Sequence, residues 1–326
     1  MNKILSISVA AYNVEAYIRQ ALDSYVDEAI LPYIEVLVTD DGSKDSTPDI
    51  VTEYEKKYPG SIRLIRQPNA GPGSTVNSGI KHATGKYFKM IDGDDWVNTS
   101  EMAGFIEFLK DCECDIVATN YCLVDNQTGQ QEPQHIDGIE YNKEYSFETL
   151  DPSLTLCMHN LAIKTSIFKD NNIVLDNCFY TDTQYMLMPV PYANGIIFLD
   201  KMIYMYRVAL GTQSMNINSL QKNSAMHERI IFTLADYYEN YKKSGNATDG
   251  KLSYFLHRMA PIVGNQLNIF LSYKESHKAQ CKDFMKRLQQ KSPDIYRQFA
   301  ACRTMKILTA SGYTLYGLVS KLHKEK

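Results

Sequence analysis

Two clusters of carboxylates, each at the end of a short apolar run, are the residues of this sequence best suited to chemistry. Ile34-Glu35-Val36-Leu37-Val38-Thr39 leads into Asp40-Asp41-Gly42-Ser43, and Tyr87-Phe88-Lys89-Met90-Ile91 leads into Asp92-Gly93-Asp94-Asp95. Two unit charges about 4 Å apart repel by roughly 4 kcal/mol at an effective dielectric near 20. Acids gathered at one sheet edge therefore call for a cation or for ligand donors. Carboxylate oxygens suit Mg2+ or Mn2+, ions that share their coordination sphere with substrate phosphates. Gly93 removes a side chain that would block a ligand's approach. Asp41 only accepts hydrogen bonds, so it would select a pyrimidine N–H or a ribose hydroxyl. The plainer alternatives are a turn with a helix cap for Asp41 and an acidic surface loop for Asp92 to Asp95. Core-like Met90 and Ile91, and the sole tryptophan, Trp96, argue against the surface loop.

The surrounding pattern supplies the elements that must hold these acids. Ile4 to Ala10 reads as a buried strand, and Val14 to Tyr25 recurs at helical spacing. Ile34 to Thr39, Ile62 to Ile65, Tyr87 to Ile91 and Ile116 to Thr119 read as further strands. Helices around Ile50 to Tyr58, after Gly73, and around Phe105 to Lys110 alternate with them. Such alternation predicts βαβ units in a doubly wound, mostly parallel sheet, whose ligands bind beyond the carboxyl ends of the strands. Both clusters fall at that edge. Residues 121 to 158 predict loops or a short hairpin, and Ile196 to Leu199 and Ile203 to Tyr206 predict two short strands. From about Leu220 the stripes are helical, giving an expected division into 1–215 (α/β) and 216–326 (all-α).

Composition narrows the function. The chain has 326 residues, 44% of them hydrophobic, and a formal charge of −4, which argues against a nucleic-acid partner. No apolar run approaches the ~20 residues of a membrane span, and the start reads as a buried strand rather than a signal segment. Seven cysteines without paired metal spacing read as reduced thiols, and the Asn-x-Thr/Ser matches at Asn98, Asn126 and Asn246 as chance. The expected location is the cytoplasm. Gly71-Pro72-Gly73 lacks the third glycine of a dinucleotide loop, so an NAD-linked reading fails.

The ordered series Ser6 to Asn13, Val38 to Ser43 with Asp45 and Thr47, Asn69-Ala70-Gly71, Asn77 to Ile80, and Ala83 to Asp95 resembles the family 2 glycosyltransferases. The resemblance covers residues 4 to 120 closely and 155 to 215 more loosely. It implies a GT-A fold and transfer of a hexosyl unit, with inversion, from a nucleotide-diphosphate donor to a glycan or lipid-linked acceptor in polysaccharide biosynthesis. UDP is the expected nucleotide. It further implies that Ala10, Tyr12 and Glu15 line the base pocket, that Asp41 bonds the nucleobase, that Asp92 lies near ribose and sugar, and that Asp94 binds the metal. Asp182 in Phe179 to Tyr185 aligns with the family's general base, although Thr181 stands where Glu is usual; the same residues also read as a helix N-cap. Tyr206-Arg207 with Gly211-Thr212-Gln213-Ser214 resembles the segment closing the donor site. Arg207 then contacts the diphosphate or forms a structural salt bridge. His159-Asn160-Leu161, with Lys164, departs from the family's Trp-Asn-Lys-Leu. A non-catalytic subunit of a polysaccharide assembly system is the alternative reading.

Residues 303 to 326 carry five basic side chains against Glu325, a net +4, with Leu315, Leu318, Val319 and Leu322 on one helical face. Such a segment either lies on the anionic inner face of the plasma membrane as a peripheral contact or packs as a terminal helix.

Overall fold

The computed structural model describes residues 3–178, 180–209, 217–273 and 275–324. The strands are β1 (Leu5–Ala11), β2 (Ile34–Asp40), β3 (Ile62–Arg66), β4 (Tyr87–Asp92), β5 (Trp96–Val97), β6 (Ile116–Asp125), β7 (Gln131–Gln134), β8 (Glu144–Ser146), β9 (Leu161–Lys164) and β10 (Gly195–Val208). The helices of this part are α1 (Ile18–Ser24), α2 (Thr47–Lys57), α3 (Pro72–His82), α4 (Thr99–Asp111), α5 (Thr165–Asp170) and α6 (Thr181–Leu187).

The sheet runs β3-β2-β1-β4-β9-β6-β10-β5. β3, β2, β1 and β4 are parallel, as are β6 and β10, while β9 enters antiparallel between β4 and β6. Its central strands are nearly continuous apolar runs because helices cover both faces. Leu5, Ile7 and Val9 of β1 and Val36 and Val38 of β2 are wholly buried. The register places Ala10 beside both Thr39 and Asp92, and Ala11 beside Asp40. Both acid clusters therefore leave the sheet at one edge.

Three local differences from the sequence reading have physical causes. α1 begins only at Ile18, because the preceding turn bonds across to the next loop. The N–H groups of Val14 and Glu15 donate to Thr47 Oγ1 (2.9 Å) and Asp45 Oδ2 (3.1 Å), and Asn13 sits at φ 52°. β6 continues to Asp125 because β7 folds back on it as a hairpin. The two short strands expected around Asp200-Lys201 are one strand, β10, whose pairing with β6 slips at Leu199/Met202 and Met202/Tyr204. Such bulges re-aim the side chains beyond them.

The described residues form two compact units. The helical one contains α7 (Ile217–Lys222), α8 (Ser224–Lys243), α9 (Asp249–Ser272), α10 (Lys278–Lys291), α11 (Pro293–Ala300), α12 (Arg303–Ala310) and α13 (Tyr316–Lys324). It also takes in Phe147–Thr155, where the Phe147 ring meets Tyr254 edge-on at 5.3 Å and Glu148 accepts the Gly250 N–H at 2.8 Å. The expected boundary at 215/216 and the Gly211-Thr212-Gln213-Ser214 motif lie outside the described residues, as does Phe179.

Candidate functional site

The loop after β4 gathers Asp92, Asp94 and Asp95 so that one carboxylate oxygen from each lies within 4.8 Å of the others. They are not equivalent. Asp95 is 1% exposed and both its oxygens are occupied: the Tyr204 hydroxyl donates to Oδ2 and the Arg207 backbone N–H to Oδ1, each at 2.7 Å. The Tyr204 oxygen in turn accepts the Asp92 N–H at 3.2 Å. Asp95 is thus the anchor of the loop, whereas Asp92 and Asp94 are half-buried. Burial, then the charges of Asp94 and Asp182, push the Asp92 carboxyl up to about 7. Burial also raises Asp94, against the lowering effect of the Arg207 guanidinium. Two hard oxygen donors under mutual repulsion are a donor set that fits Mg2+ or Mn2+.

Arg207 is 8% exposed. Its Nε donates to the Asp94 carbonyl (2.7 Å), Nη1 to Asn126 Oδ1 (2.9 Å) and Nη2 to Gln20 Oε1 (2.8 Å). The guanidinium lies 4.8 Å from the Tyr17 ring centre and 4.7 Å from that of Trp96. A planar fork held between two rings is pre-organised. Through these backbone and amide oxygens the guanidinium clamps the acidic loop.

Asp182 lies in the first turn of α6, and its charge adds to the raising of Asp92 and Tyr206. Burial raises its pKa, opposed by its own and the Thr183 N–H and by the Thr183 hydroxyl. Neither Thr181 nor Asp182 is the N-cap. Tyr180 holds that position, and the Thr181 hydroxyl donates back to the Cys178 carbonyl at 2.6 Å. The segment before α6 is pinned to α3 by Asn77, whose amide donates to Leu175 O (2.8 Å) and accepts its N–H (2.9 Å). Gln184 adds a bond from the Asp176 N–H at 2.6 Å.

The expected base-pocket residues are distributed unevenly. Asp41 is buried, and its carboxylate accepts the Ala70 and Gly71 N–H groups (2.9 and 2.7 Å) and the Gln67 amide (2.7 Å). Three of about four acceptor positions thus go to shaping the 67–71 loop. Gly42, at φ 76° with Asn69 N 3.0 Å from the position of a Cβ, lets the two turns meet. Ala10 pairs with Asp92 one residue before the end of β1, and Tyr12 is 47% exposed. The Glu15 carboxylate accepts the Ser46 N–H at 2.8 Å. At Gly93 the space of a Cβ is filled by the chain itself, with Ala10 O at 2.6 Å and Val14 Cγ2 at 3.2 Å. The glycine is thus needed for the loop to reach β1, a different reason from the ligand approach expected.

Tyr204 and Lys89 carried no assigned role in the sequence, and Tyr206 and His159 stood there only within compared segments. Tyr204 and Tyr206 share a face two residues apart, a period-2 signal obscured by the bulge. Tyr206 is pushed up to about 12, by burial and then by the charges of Asp95, Asp92, Asp94 and Asp182. His159 stacks on Tyr206 (centroids 4.4 Å) and meets Tyr204 edge-on (4.5 Å). Lys89, 1% exposed, donates to the His159 and Leu161 carbonyls (2.7 and 3.2 Å), and burial pushes its ammonium down to about 7. Strand alternation alone would leave a lysine facing into the protein there, and nothing local signals its carbonyl partners.

The model of glycosyl transferase family 2 matches residues 6–171, just over half of the 326. The chain belongs to glycosyl transferase family 2. Among relatives in Bacillus subtilis (strain 168), the uncharacterized glycosyltransferase EpsJ is 27% identical over 91% of this chain and 86% of its own. The minor teichoic acid biosynthesis protein GgaB is 28% identical over 74% of this chain and 27% of its own. The chain spans about a third or less of the length of five of the relatives it matches, GgaB among them. The solved structure of Staphylococcus aureus TarS residues 1–349 with UDP-GlcNAc superposes with a TM-score of 0.65 at 20% identity, covering 95% of this chain and 92% of that one. That likeness shows the GT-A fold. No helix among the described residues is long and apolar enough to cross a membrane.

Proposed function

We propose that this protein moves a glycosyl unit from a nucleotide-diphosphate sugar, with UDP as the nucleotide, to a hydroxyl of a glycan or lipid-linked acceptor, with inversion. The observation that carries this reading is the meeting of Asp92 and Asp94 at the carboxyl edge of a sheet, with Asp95 withdrawn as their anchor and the Asp182 charge acting on Asp92. The UDP-GlcNAc bound to TarS and the teichoic acid role in GgaB's name support it.

In this reading Asp182 takes the acceptor hydroxyl proton as the new C–O bond forms at the anomeric carbon and the bond to the diphosphate breaks. Its raised pKa makes it the stronger base once ionised. Asp92 and Asp94 would hold Mn2+ or Mg2+, which when bound supplies positive charge against the departing diphosphate. Arg207 and Tyr204 keep the acidic loop in place from behind. The 67–71 loop, shaped by Asp41, borders the nucleotide, and the one acceptor position left on Asp41 suits a base N–H.

The test is release of UDP from a panel of UDP-sugars with Mn2+, alongside donor-induced thermal shifts. A donor at 100 times its dissociation constant stabilises the fold by about 2.7 kcal/mol. Asp94→Ala should abolish the Mn2+ dependence. Asp182→Asn should lower turnover by about 10²–10⁴-fold while keeping the donor shift. No shift with any donor would refute the reading, and a donor shift without turnover would select the non-catalytic assembly role.

A further inference from the structure

α13 is docked the reverse of a buried amphipathic helix. Tyr316 and Ser320 face inward, where their hydroxyls donate to the carbonyls of Phe270 (2.8 Å) and Leu271 (2.7 Å). Leu315, Leu318 and Leu322 face out, 43, 55 and 54% exposed, and Ile307 of α12 adds another at 37%. Single exposed leucines are ordinary. These four are half of the eight large apolar side chains exposed among the described residues, and they fall within sixteen positions, which makes them a patch.

Along the segment itself the charge has one sign, and the neighbouring acid is Glu275, which lines a second groove with Lys321. Residues 303–324 contain Arg303, Lys306, Lys321 and Lys324 and no Asp or Glu, in a chain of net charge −4. In the same unit Lys242, Arg287, Lys291 and Arg297 pair with carboxylates, whereas Lys243, Lys278, Lys282 and Lys286 have no ion pair among the described residues. Arg303, Lys306 and Lys321 are exposed and have no ion pair among the described residues. Arg303 and Ile307 of α12 and Leu322 and His323 of α13 line one groove of about 510 Å³, so the basic and apolar groups share a surface.

We infer that the α12–α13 face docks on an anionic phospholipid surface. Leucines at the acyl boundary with lysines and arginine among acidic headgroups is the arrangement such a bilayer rewards. A second copy of the chain fits poorly, since a two-fold pairing of this face brings like charges together.

The experiment is co-sedimentation of the full chain with phosphatidylglycerol–phosphatidylcholine vesicles and with phosphatidylcholine alone, at two salt concentrations. Binding should require the anionic lipid and weaken with salt. Lys306→Gln and Lys321→Gln should each lower partition about fivefold, and Leu318→Glu/Leu322→Glu should abolish it with the thermal melt unchanged. Equal binding to both vesicles, or unaltered binding by the leucine variant, would overturn the inference. So would a concentration-dependent dimer that the leucine variant removes. Donor-induced thermal shifts, recorded on the same variants, test the transfer reading separately.

Discussion

Replacing Gly93 by alanine tests whether the acidic loop owes its position to close approach on β1. The added Cβ would stand 2.6 Å from the Ala10 carbonyl oxygen, about 0.4 Å inside the 3.0 Å that real Cβ atoms respect. The obstacle is backbone of a strand paired on both sides, so the loop must retreat rather than β1. Overpacking of this kind costs about 1–3 kcal/mol, which at an m-value near 2 kcal/mol/M moves a urea midpoint by about 0.5–1.5 M. Trp96, the only tryptophan, follows the loop directly, so its fluorescence reports unfolding of this unit. A retreat of about half an ångström also displaces Asp92 and Asp94, and since 1 Å of misplacement costs about 10²-fold in rate, donor turnover should drop about tenfold. Gly317→Ala, where a Cβ meets nothing within 4 Å, is the control. An unchanged Trp96 transition, with turnover within twofold of the parent, would refute the reasoning.

Arg207→Lys should destabilise the first unit by about 3 kcal/mol, because one ammonium cannot serve Asp94 O, Asn126 and Gln20 or fill the slot between Tyr17 and Trp96; urea titration read at Trp96 measures it. Tyr204→Phe removes the 2.7 Å bond to Asp95 and should cost about 1–2 kcal/mol in the same assay. His159 gives a pH signature. Burial and the neighbouring Lys89 charge hold it near 3 rather than 6.5, so between those values the unfolded chain binds a proton the folded one does not. Its contribution is complete above pH 6.5 and falls by up to about 5 kcal/mol toward pH 3. Asp92, raised to about 7, acts in the opposite sense, its contribution falling as pH rises from about 4 to 7. The quantity to measure is therefore the difference between the parent and His159→Gln, which should grow as pH rises from 3 to 6.5; a flat difference would place the imidazole in solvent.

The alternating strands, the parallel sheet and the meeting of Asp41 with Asp92 to Asp95 at one edge were readable because each follows from local pattern. Apolar runs of strand length alternate with helical spacing, and the carboxyl edge of a parallel sheet lies on one side. Asp182 was readable only as a residue type in a matching segment. The segment that leads into it is held by Asn77 clasping Leu175, a contact 98 residues apart in sequence.

By itself, the sequence determined the fold class and which acids would share a site, since periodicity and strand ends are properties of neighbouring residues. Only the tertiary structure separated their roles. Asp95 becomes an anchor because β10, more than a hundred residues later, brings Tyr204 and the Arg207 N–H to its two oxygens. Asp41 shapes a loop because that loop's N–H groups close on it, and Gly93 yields space to Ala10 rather than to a ligand. Likewise, sequence marked the apolar face of α13, but only the bonds from Tyr316 and Ser320 to α9 decided that it turns outward.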